Sequence, residues 1–368
     1  MHTVALFGAG KIGEAISALL ASSGRYTIRV CDGSLARAQL VANGWGACEA
    51  HQLQLSDPAA LKQLLSGCSL VISALPFSCN KTVAQAAADL GIHYADLTED
   101  VDASHFIAKL STNSNSCFIP QCGIAPGFIS IAAAHLAKLF DTLDTLKMRV
   151  GALPIYPTNR LKYNLTWSTD GLINEYCNPC EVIQDGKMLM VPPLEGYEHF
   201  SLDGDEYETF HTSGGLGTLC QTLKGKVREL NYKTIRYPGH RDLMAFLLED
   251  LRFHDDRDTL KKILERSLST TSQDKCMILV EATGIDGGRF RQKTYASTVY
   301  NQSIAGRHFG AIQATTAAGI CGVIDLLLEG RFKGRTGLIK AEDISLTDFL
   351  NNEFGKIFRD DKALQGIS

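Results

Sequence analysis

Apolar runs alternate with segments of helical spacing over roughly the first 125 residues of the chain. Residues 3–7, 26–30 and 69–75 are mostly apolar, as in strands that are buried on both faces. Between the first two runs, residues 12–20 place their apolar side chains at helical spacing. Strands that alternate with helices form a doubly wound parallel sheet, so the pattern predicts an α/β fold for this part of the chain.

The pattern changes after about residue 145, where apolar and polar residues alternate with a period of two. Asp-Gly turn sequences, such as Asp203-Gly204, separate these segments. We therefore predict a second domain that is built on a mixed or antiparallel sheet, with helices at residues 243–251 and 259–268.

Three glycines stand between the first predicted strand and the first predicted helix, in the sequence V-A-L-F-G-A-G-K-I-G. Gly8 allows a sharp turn, Gly10 leaves room for a diphosphate against the backbone, and Gly13 lets the helix approach the sheet. The N–H groups of the helix that begins near Lys11 and Ile12 then face the diphosphate. This spacing predicts a Rossmann-type βαβ unit that binds a dinucleotide; a glycine turn with a structural role only is the alternative.

An acidic residue at the end of the second predicted strand, Asp32, distinguishes between the nicotinamide cofactors. A carboxylate roughly 20 residues after the glycines accepts hydrogen bonds from the adenosine ribose, and its charge would repel the extra phosphate of NADP. NAD is therefore favoured, although Arg37 offers a stacking or phosphate contact that keeps NADP possible. The predicted cofactor contacts beyond the glycines and the helix start are Asp32, Arg37, Ala74, Leu75, Pro76 and Thr98.

The 368 residues exceed what one hydrophobic core usually serves, so we predict two domains. Residues 1–125 and 305–368 are expected to form the NAD(P)-binding domain. Residues 126–304 are expected to form an inserted α/β domain for substrate binding, catalysis and dimerisation. A helix rich in small residues, 311–328, is expected to pack back on the first domain.

Composition excludes several partners. The formal net charge is −4, from 36 basic and 40 acidic residues, and no basic stripe would neutralise a nucleic-acid backbone. A strand follows Met1 directly, which leaves no room for a signal peptide. The most apolar stretch, residues 311–328, carries Gln313 and Asp325, so we predict no membrane span. We expect neither nucleic acid nor a membrane as a partner.

The cysteine content indicates a reducing compartment. Eleven cysteines, an odd number, are scattered along the chain, and free thiols in the cytoplasm are the natural expectation. Cys177 and Cys180 form a C-x-x-C sequence, but neither a second pair nor a suitably spaced pair of histidines accompanies it. We therefore predict no metal site.

Four segments together carry a resemblance to a known family. The chain resembles the saccharopine dehydrogenase family in these segments: residues 4–13, P-Q-C-G-I-A-P-G at 120–127, G-A-L-P to L-K-Y-N-L-T-W-S at 151–168, and T-I-R-Y-P-G-H at 234–240. Residues 180–187 and the Y-P-G-H ending are most similar to its lysine 6-dehydrogenase branch. The resemblance covers nearly the whole chain.

The resemblance implies a Rossmann domain with an inserted catalytic domain, a homodimer, and reversible hydride transfer between a carbon that bears nitrogen and a nicotinamide. The implied substrates are lysine or adducts of amino acids with carbonyl compounds. Where saccharopine reductases have T-L-R at a substrate carboxylate contact, this chain has T-I-R, so Arg236 inherits that role. Many relatives carry Asp in the G-x-D-P-G turn, whereas Ala125 stands here.

Amine oxidation needs an unprotonated nitrogen, and a general base near neutrality assists that step. His240 is the first candidate by its intrinsic pKa and His211, which Thr212 follows, is the second; either could instead have no role. Tyr163, next to Lys162, is a further candidate for proton transfer. If this pair lies in a strand, only one of the two side chains faces the site.

An amino-acid substrate also needs its charged groups fixed. A guanidinium binds a carboxylate through two hydrogen bonds, which points to Arg236 and, second, to Arg160. Glu99 or Asp96, near the end of the fifth predicted strand, would bind a distal ammonium or the nicotinamide ribose, or else cap the next helix. The predicted substrate contacts are Arg236, Glu99, Asp96, Thr212 and Arg160.

Three functions follow from the sequence. The first is an NAD-linked dehydrogenase that oxidises a C–N bond of lysine or saccharopine. The second keeps this chemistry but acts on a polyamine adduct such as carboxynorspermidine. The third is a nucleotide-binding sensor without catalysis, for which the sequence contains no partner-binding tail or zipper.

Overall fold

The computed structural model describes residues 1–359, which fold into two compact units. The first unit contains residues 1–128, 303–307 and 313–357, and the second contains 129–302, 308–312 and the end of the described chain. The predicted boundary at residue 305 therefore misses a short return of the chain to the second unit. The reason is local: the buried carboxylate of Asp274 accepts hydrogen bonds from the N–H groups of Ala311 and Ile312.

Seventeen strands and twelve α-helices are present in the described residues. The strands are β1 (His2–Phe7), β2 (Tyr26–Asp32), β3 (Cys48–Gln52), β4 (Leu70–Ser73), β5 (His93–Asp96), β6 (Cys117–Ile119), β7 (Thr142–Pro154), β8 (Cys180–Gln184), β9 (Lys187–Val191), β10 (Glu198–Leu202), β11 (Asp205–His211), β12 (Glu229–Arg236), β13 (Asp274–Asp286), β14 (Arg289–Tyr300), β15 (Gln302–Ile304), β16 (Arg307–Phe309) and β17 (Gly337–Leu338). The helices are α1 (Lys11–Ser22), α2 (Leu35–Ala42), α3 (Pro58–Leu65), α4 (Phe77–Leu90), α5 (Val101–Ser111), α6 (Phe128–Ala137), α7 (Thr169–Cys177), α8 (Leu219–Leu223), α9 (His240–Ala245), α10 (Arg257–Ser267), α11 (Ala311–Leu328) and α12 (Leu346–Asn351).

The first unit contains a seven-stranded parallel sheet in the order β17-β6-β5-β4-β1-β2-β3. All four residues of β4 are buried, because helices cover both faces of the sheet. The predicted Rossmann-type sheet is thus confirmed. Two details stand out: β3 lies half-exposed at the edge of the sheet, and β17 was not predicted, since a two-residue strand leaves no pattern.

The direction of chain progression reverses between β1 and β4. In open α/β sheets, ligands bind outside the carboxyl ends of the strands at such a switch point. The ends of β1, β2, β4 and β5 in this unit therefore define the place to look for a nucleotide.

Helix α11 is long and apolar. Contrary to the sequence prediction, it is long and apolar enough to cross a membrane by length and composition alone, with a mean hydropathy of 1.6. However, 83% of it is buried inside the fold, as in the core helix of a globular protein. Its small residues allow close packing: a Cβ on Gly319 would lie 2.5 Å from the carbonyl oxygen of Gly123.

The second unit is built on an eight-stranded mixed sheet, as the alternating pattern predicted. Strand β7 lies at its centre, parallel to β12 and antiparallel to β13. One face carries a core in which Phe210 of β11 packs with residues of α7, α9 and α10. The opposite face has a smaller core around Tyr207 and Ile235.

Two local details of this unit differ from the sequence pattern. The helix expected at residues 243–251 is present, but it begins at His240 as α9 and continues as a π-helix, Phe246–Asp250. Lys162 and Tyr163 do not lie in a strand but in an irregular loop, where Lys162 has a positive φ of 52°. The expectation that their side chains point to opposite faces of a strand therefore does not apply to this pair.

Candidate functional site

The glycine loop after β1 has the geometry of a diphosphate cradle. Gly8 has a φ of 106°, and a Cβ on it would lie 2.6 Å from the carbonyl oxygen of Ala74. A Cβ on Gly13 would lie 1.9 Å from the carbonyl oxygen of Gly8. Gly10, in contrast, has nothing within 4 Å of the Cβ position, so the space beside it is open. The loop is closed on two sides and open at Gly10, where a diphosphate needs access to the backbone.

Helix α1 begins at this open side. Gly10 is its N-cap residue and provides no side-chain cap. The first N–H groups of a helix have no partner within the helix and carry partial positive charge. At Lys11 and Ile12 they are therefore suited to bind an anionic diphosphate.

The carboxylate of Asp32 is fixed at the end of β2. One oxygen accepts a hydrogen bond from the N–H of Ala9 and the other from the N–H of Ser34, each at 2.9 Å. Asp32 is only half-buried, so its remaining lone pairs can accept from ribose hydroxyls. Arg37, in the first turn of α2, is exposed, and its side chain makes no hydrogen bond or ion pair within residues 1–359.

The ends of β4 and β5 complete this edge of the sheet. Ala74, Leu75 and Pro76 follow β4 and are partly or fully exposed there, and the N–H of Ala74 donates to the carbonyl oxygen of Phe7. Thr98, after β5, is buried, and its hydroxyl oxygen accepts from the N–H of Asp100. Its hydroxyl thus shapes the loop at the strand end.

The surroundings of Asp96 favour a structural role over the ligand role that the sequence suggested. It is the last residue of β5, fully buried, and it accepts hydrogen bonds from the hydroxyl of Tyr94 at 2.7 Å and from the N–H groups of Thr98 and Gln121 at 3.0 Å each. Burial raises the pKa of this carboxyl, while the three donors oppose that shift. Its acceptors are engaged in joining the loops after β5 and β6.

Glu99 is the carboxylate at this edge that stays available. Apart from its own N–H, it has no partner within residues 1–359, and Asp100, not Glu99 or Asp96, caps α5 by accepting from the N–H of Ala103. Burial, together with the negative charges of Asp100 and Asp96, raises the pKa of Glu99. A cationic group would relieve that unfavourable environment.

The second unit contains a buried arginine in a chain of hydrogen bonds. The Nε of Arg236 donates to the hydroxyl of Tyr176 at 2.8 Å, and that hydroxyl lies 3.0 Å from Nε2 of His240. Nδ1 of His240 lies 2.8 Å from the carbonyl oxygen of Leu161. Arg236 is 3% exposed, and its Nη1 donates to the carbonyl oxygen of Ile235.

The environment of His240 argues against the role of general base that the sequence favoured. Burial, reinforced by the charge of Arg236, lowers the pKa of His240 to about 3. Both ring nitrogens are engaged with Tyr176 and Leu161. The imidazole is therefore neutral near pH 7 and holds other groups in place.

Tyr163 lies beside Arg236 and faces the core. Its ring centroid is 5.1 Å from Cζ of Arg236, and its hydroxyl accepts a hydrogen bond from Nε1 of Trp167. Burial raises the pKa of Tyr163, so the phenol stays protonated. Lys162 points elsewhere, with its Nζ donating to the carbonyl oxygen of Pro238.

The structure separates His211 from Arg236. In the register of β11 and β12, Glu208 pairs with Arg236 and His211 pairs with Lys233, so the two candidates lie on opposite faces of the sheet. Burial and the positive charge of Lys233 lower the pKa of His211 to about 4, which also argues against a base near neutrality.

The two remaining candidates differ in environment. Thr212 is buried, and its hydroxyl has no hydrogen-bond partner in the described residues, so it can serve a polar ligand or a water molecule. Arg160 is exposed and makes no polar contact within residues 1–359. An exposed, unsupported arginine is poorly suited to fix a carboxylate.

Sequence reasoning missed Tyr176, Trp167 and Glu208. Glu208 is fully buried, and its carboxylate accepts hydrogen bonds from the N–H groups of Gly239 at 2.7 Å and Arg241 at 2.6 Å. It therefore anchors the turn that carries His240. No local pattern marks these residues, although Trp167 lies in a segment that carried the family resemblance.

Among residues 1–359, no group of three or more His, Cys, Asp or Glu side chains is arranged to hold a metal ion. All eleven cysteines are free thiols. Burial raises the pKa of both Cys177 and Cys180, which disfavours the reactive thiolate.

Comparison with known proteins places the chain in a family. Residues 4–117 match the family model "Saccharopine dehydrogenase NADP binding domain", and residues 123–357 match "Saccharopine dehydrogenase C-terminal domain". The resemblance in the sequence is thus confirmed at the level of the family, and so is NAD or NADP as the cofactor class. The lysine 6-dehydrogenase branch stays a prediction.

Individual relatives are distant. The NADP-dependent, L-glutamate-forming saccharopine dehydrogenase of Schizosaccharomyces pombe is 23% identical over 197 residues, which cover 52% of this chain and 44% of that protein. The matched segment is thus less than half of that relative. A solved saccharopine dehydrogenase (L-Glu forming) from Saccharomyces cerevisiae has a TM-score of 0.78 at 17% identity, over 97% of this chain and 96% of that chain.

A homospermidine synthase from Legionella pneumophila, solved in complex with NAD, has a TM-score of 0.65 at 13% identity, over 97% of this chain and 89% of that chain. At such identities the structural similarities establish the fold alone.

Proposed function

Because the chain belongs to the saccharopine dehydrogenase family, we propose that it is an NAD-dependent oxidoreductase that acts on a C–N bond of an amino acid of the lysine or saccharopine type. Bound NAD supplies the hydride acceptor. The substrate amine loses a proton and its carbon loses a hydride, and the nitrogen lone pair forms the C=N bond of an imine, which water can then attack.

The environment of Arg236 carries this proposal. The guanidinium is buried, and the negative charge of buried Glu175 helps to raise its pKa. Nε and one N–H of Nη1 are used inside the protein, so Nη2 and the second N–H of Nη1 stay available to a ligand. These donors can bind a substrate carboxylate through two hydrogen bonds.

Glu99 is proposed to bind the ammonium group of the substrate. It is a half-buried carboxylate at the ligand edge of a parallel sheet, and it lacks a cationic partner in the described residues. An amino acid of the lysine type carries an ammonium group that such a carboxylate can bind.

NAD is preferred over NADP in this proposal. The preference rests on the fixed carboxylate of Asp32, which would lie against the extra phosphate of NADP. The family model is named for NADP, and exposed Arg37 would accommodate that phosphate, so NADP is the alternative.

A second candidate function is a carboxynorspermidine-type dehydrogenase, favoured by the fold that the chain shares with a homospermidine synthase. A polyamine adduct of this kind also carries a carboxylate, so Arg236 would have the same role. The third candidate, a sensor without catalysis, uses only the nucleotide site.

One assay separates these functions. The purified protein is mixed with NAD or NADP and with L-lysine, L-saccharopine or carboxynorspermidine, and reduced nicotinamide is followed by absorbance. Turnover of lysine or saccharopine supports the proposal, turnover of the polyamine alone supports the second candidate, and cofactor binding without any turnover supports the sensor.

Arg236→Gln should raise KM about 10-fold or more, because a charged hydrogen bond is lost. Arg160→Gln is the matched control and should leave KM unchanged.

A homodimer in the cytoplasm completes the proposal. It rests on the family resemblance for the dimer and on the eleven free cysteines for the reducing compartment. A measured mass of the protein in solution near the monomer value of 40.0 kDa would contradict the dimer.

A further inference from the structure

The hydrogen bonds around His240 have a fixed direction. The carbonyl oxygen of Leu161 can only accept, so Nδ1 of His240 carries the proton. Because the imidazole is neutral, Nε2 has a lone pair and must accept from the hydroxyl of Tyr176. The hydroxyl oxygen is then left to accept from Nε of Arg236. The chain of donors and acceptors has one consistent arrangement.

This arrangement determines which edge of Arg236 is free. Nε donates to Tyr176, so the edge formed by Nη1 and Nη2 is the one that retains donors. The cation also lies against two aromatic rings, with Cζ 5.1 Å from the ring centroid of Tyr163 and 5.7 Å from that of Tyr176. Contact with the ring faces opposes displacement of the guanidinium.

The backbone on the other side of His240 is fixed as well. Gly239 has a φ of 93°, and its N–H donates to the buried carboxylate of Glu208, as does the N–H of Arg241. Two charge-assisted hydrogen bonds hold the residues on both sides of His240. The imidazole is thereby fixed at its backbone and at both nitrogens.

We propose that Tyr176 and His240 are positioning residues that orient the guanidinium of Arg236, so that its Nη1–Nη2 edge is presented to the substrate carboxylate. This proposal rests on the proposed function, in which Arg236 binds that carboxylate. Neither residue touches the substrate. Tyr176 acts on Arg236 directly, and His240 acts through Tyr176.

The first test is kinetic. Tyr176→Phe removes the hydroxyl and keeps the ring, so KM for L-lysine or L-saccharopine should rise about 10-fold while kcat changes less than about twofold. His240→Leu should have the same effect, and His240→Gln should restore part of it, because the amide can again accept from Tyr176. For 1,5-diaminopentane, which is lysine without its carboxylate, Tyr176→Phe should leave kcat/KM unchanged.

Tyr207→Phe is the matched control. Tyr207 is also buried in this unit, and its hydroxyl also contacts a cation, Lys275 at 2.6 Å, but it lies outside the chain of hydrogen bonds. Its loss should not change KM. If Tyr176→Phe and Tyr207→Phe have equal effects on KM, or if Tyr176→Phe leaves KM for the amino acid unchanged, the positioning role is wrong.

The second test needs no turnover. In protein labelled with ¹⁵N-arginine, the Nε–H of Arg236 should exchange slowly with solvent, and Tyr176→Phe should accelerate that exchange at least about 10-fold. Equal exchange in both proteins would overturn the inference. If the wild type oxidises no amino acid, the proposed function fails, whereas the exchange rates still decide whether Tyr176 holds Arg236.

Discussion

Gly13 lies so close to Gly8 that a Cβ at position 13 would stand 1.9 Å from the Gly8 carbonyl oxygen. Gly10, between them in the sequence, has no atom within 4 Å of its Cβ position. The same substitution, glycine to alanine, should therefore have opposite consequences at two positions that are three residues apart.

Gly13→Ala should destabilise the first unit by about 1–3 kcal/mol, because the helix must move away from the turn. Gly10→Ala should leave stability unchanged or slightly higher, because Gly10 has a φ of −79°, which alanine adopts easily. It should weaken NAD binding instead, since the methyl group occupies the space for the diphosphate. Urea denaturation and titration with NADH measure the two effects; a Gly10→Ala protein that binds NADH like wild type would contradict the cradle.

Asp32→Ala should weaken NAD binding and reduce discrimination against NADP. Hydrogen bonds to a charged acceptor contribute about 1.5–3 kcal/mol, so the Kd of NADH should rise roughly 10- to 100-fold. The Kd of NADPH should rise less, because the repulsive charge is gone. Fluorescence titration of both nucleotides gives the ratio, with Asp89→Ala, an exposed carboxylate on α4, as the control. An unchanged ratio would refute the ribose contact.

Glu99 and Asp100 are neighbouring carboxylates with different predicted roles. Glu99→Gln should raise KM for the amine substrate about 10-fold, because a charged partner of the ammonium is lost, and it should leave folding intact. Asp100→Ala should leave KM unchanged but cost about 1 kcal/mol of stability, because it removes the cap of α5. If KM changes in the Asp100→Ala variant and not in the Glu99→Gln variant, Glu99 does not bind the substrate.

Because of its buried histidines, we expect the protein to have a lower free energy of unfolding in mild acid. The pKa of His240 falls from 6.5 to about 3 on folding, so the unfolded chain binds the proton more readily than the folded protein. Its contribution is therefore complete above pH 6.5 and is lost progressively as the pH falls toward 3. Between pH 6.5 and 5 this one residue should cost about 2 kcal/mol.

Denaturation curves at pH 7.5, 6 and 5 measure this effect. His240→Gln has no titrating ring, so its stability should depend less steeply on pH over that interval. A variant with the same slope as wild type would show that another group causes the acid sensitivity. His211, with its pKa lowered to about 4, should contribute in the same direction but less, because it is only partly buried.

The nucleotide site could be predicted from the sequence because its parts are local. Gly8, Gly10 and Gly13 act through backbone geometry within one βαβ unit, and Asp32 follows at the end of the next strand. The spacing of these residues therefore encodes their arrangement, and so does the alternation of strands and helices for the sheet.

The residues that surround Arg236 could not be predicted in the same way. Tyr176 contacts Arg236 across 60 positions and His240 across 64, and nothing near Tyr176 in the sequence marks it. The sequence identifies His240 but not its environment, because a sequence supplies the ordinary pKa and not the burial that lowers it. Arg236 was identified through the family resemblance and through the chemistry of guanidinium–carboxylate pairing.

Strand β17 pairs with β6 across more than half of the chain, and this pairing affects the order of events during synthesis. While the ribosome extends the chain N-terminus first, β6 has an unpaired edge until residues 337–338 emerge. The second unit, whose residues are nearly continuous, can complete its sheet earlier. A nascent chain arrested before β17 would therefore carry an unpaired strand edge that can pair with other chains. The dependence of expression on chaperones should be greatest for such truncations.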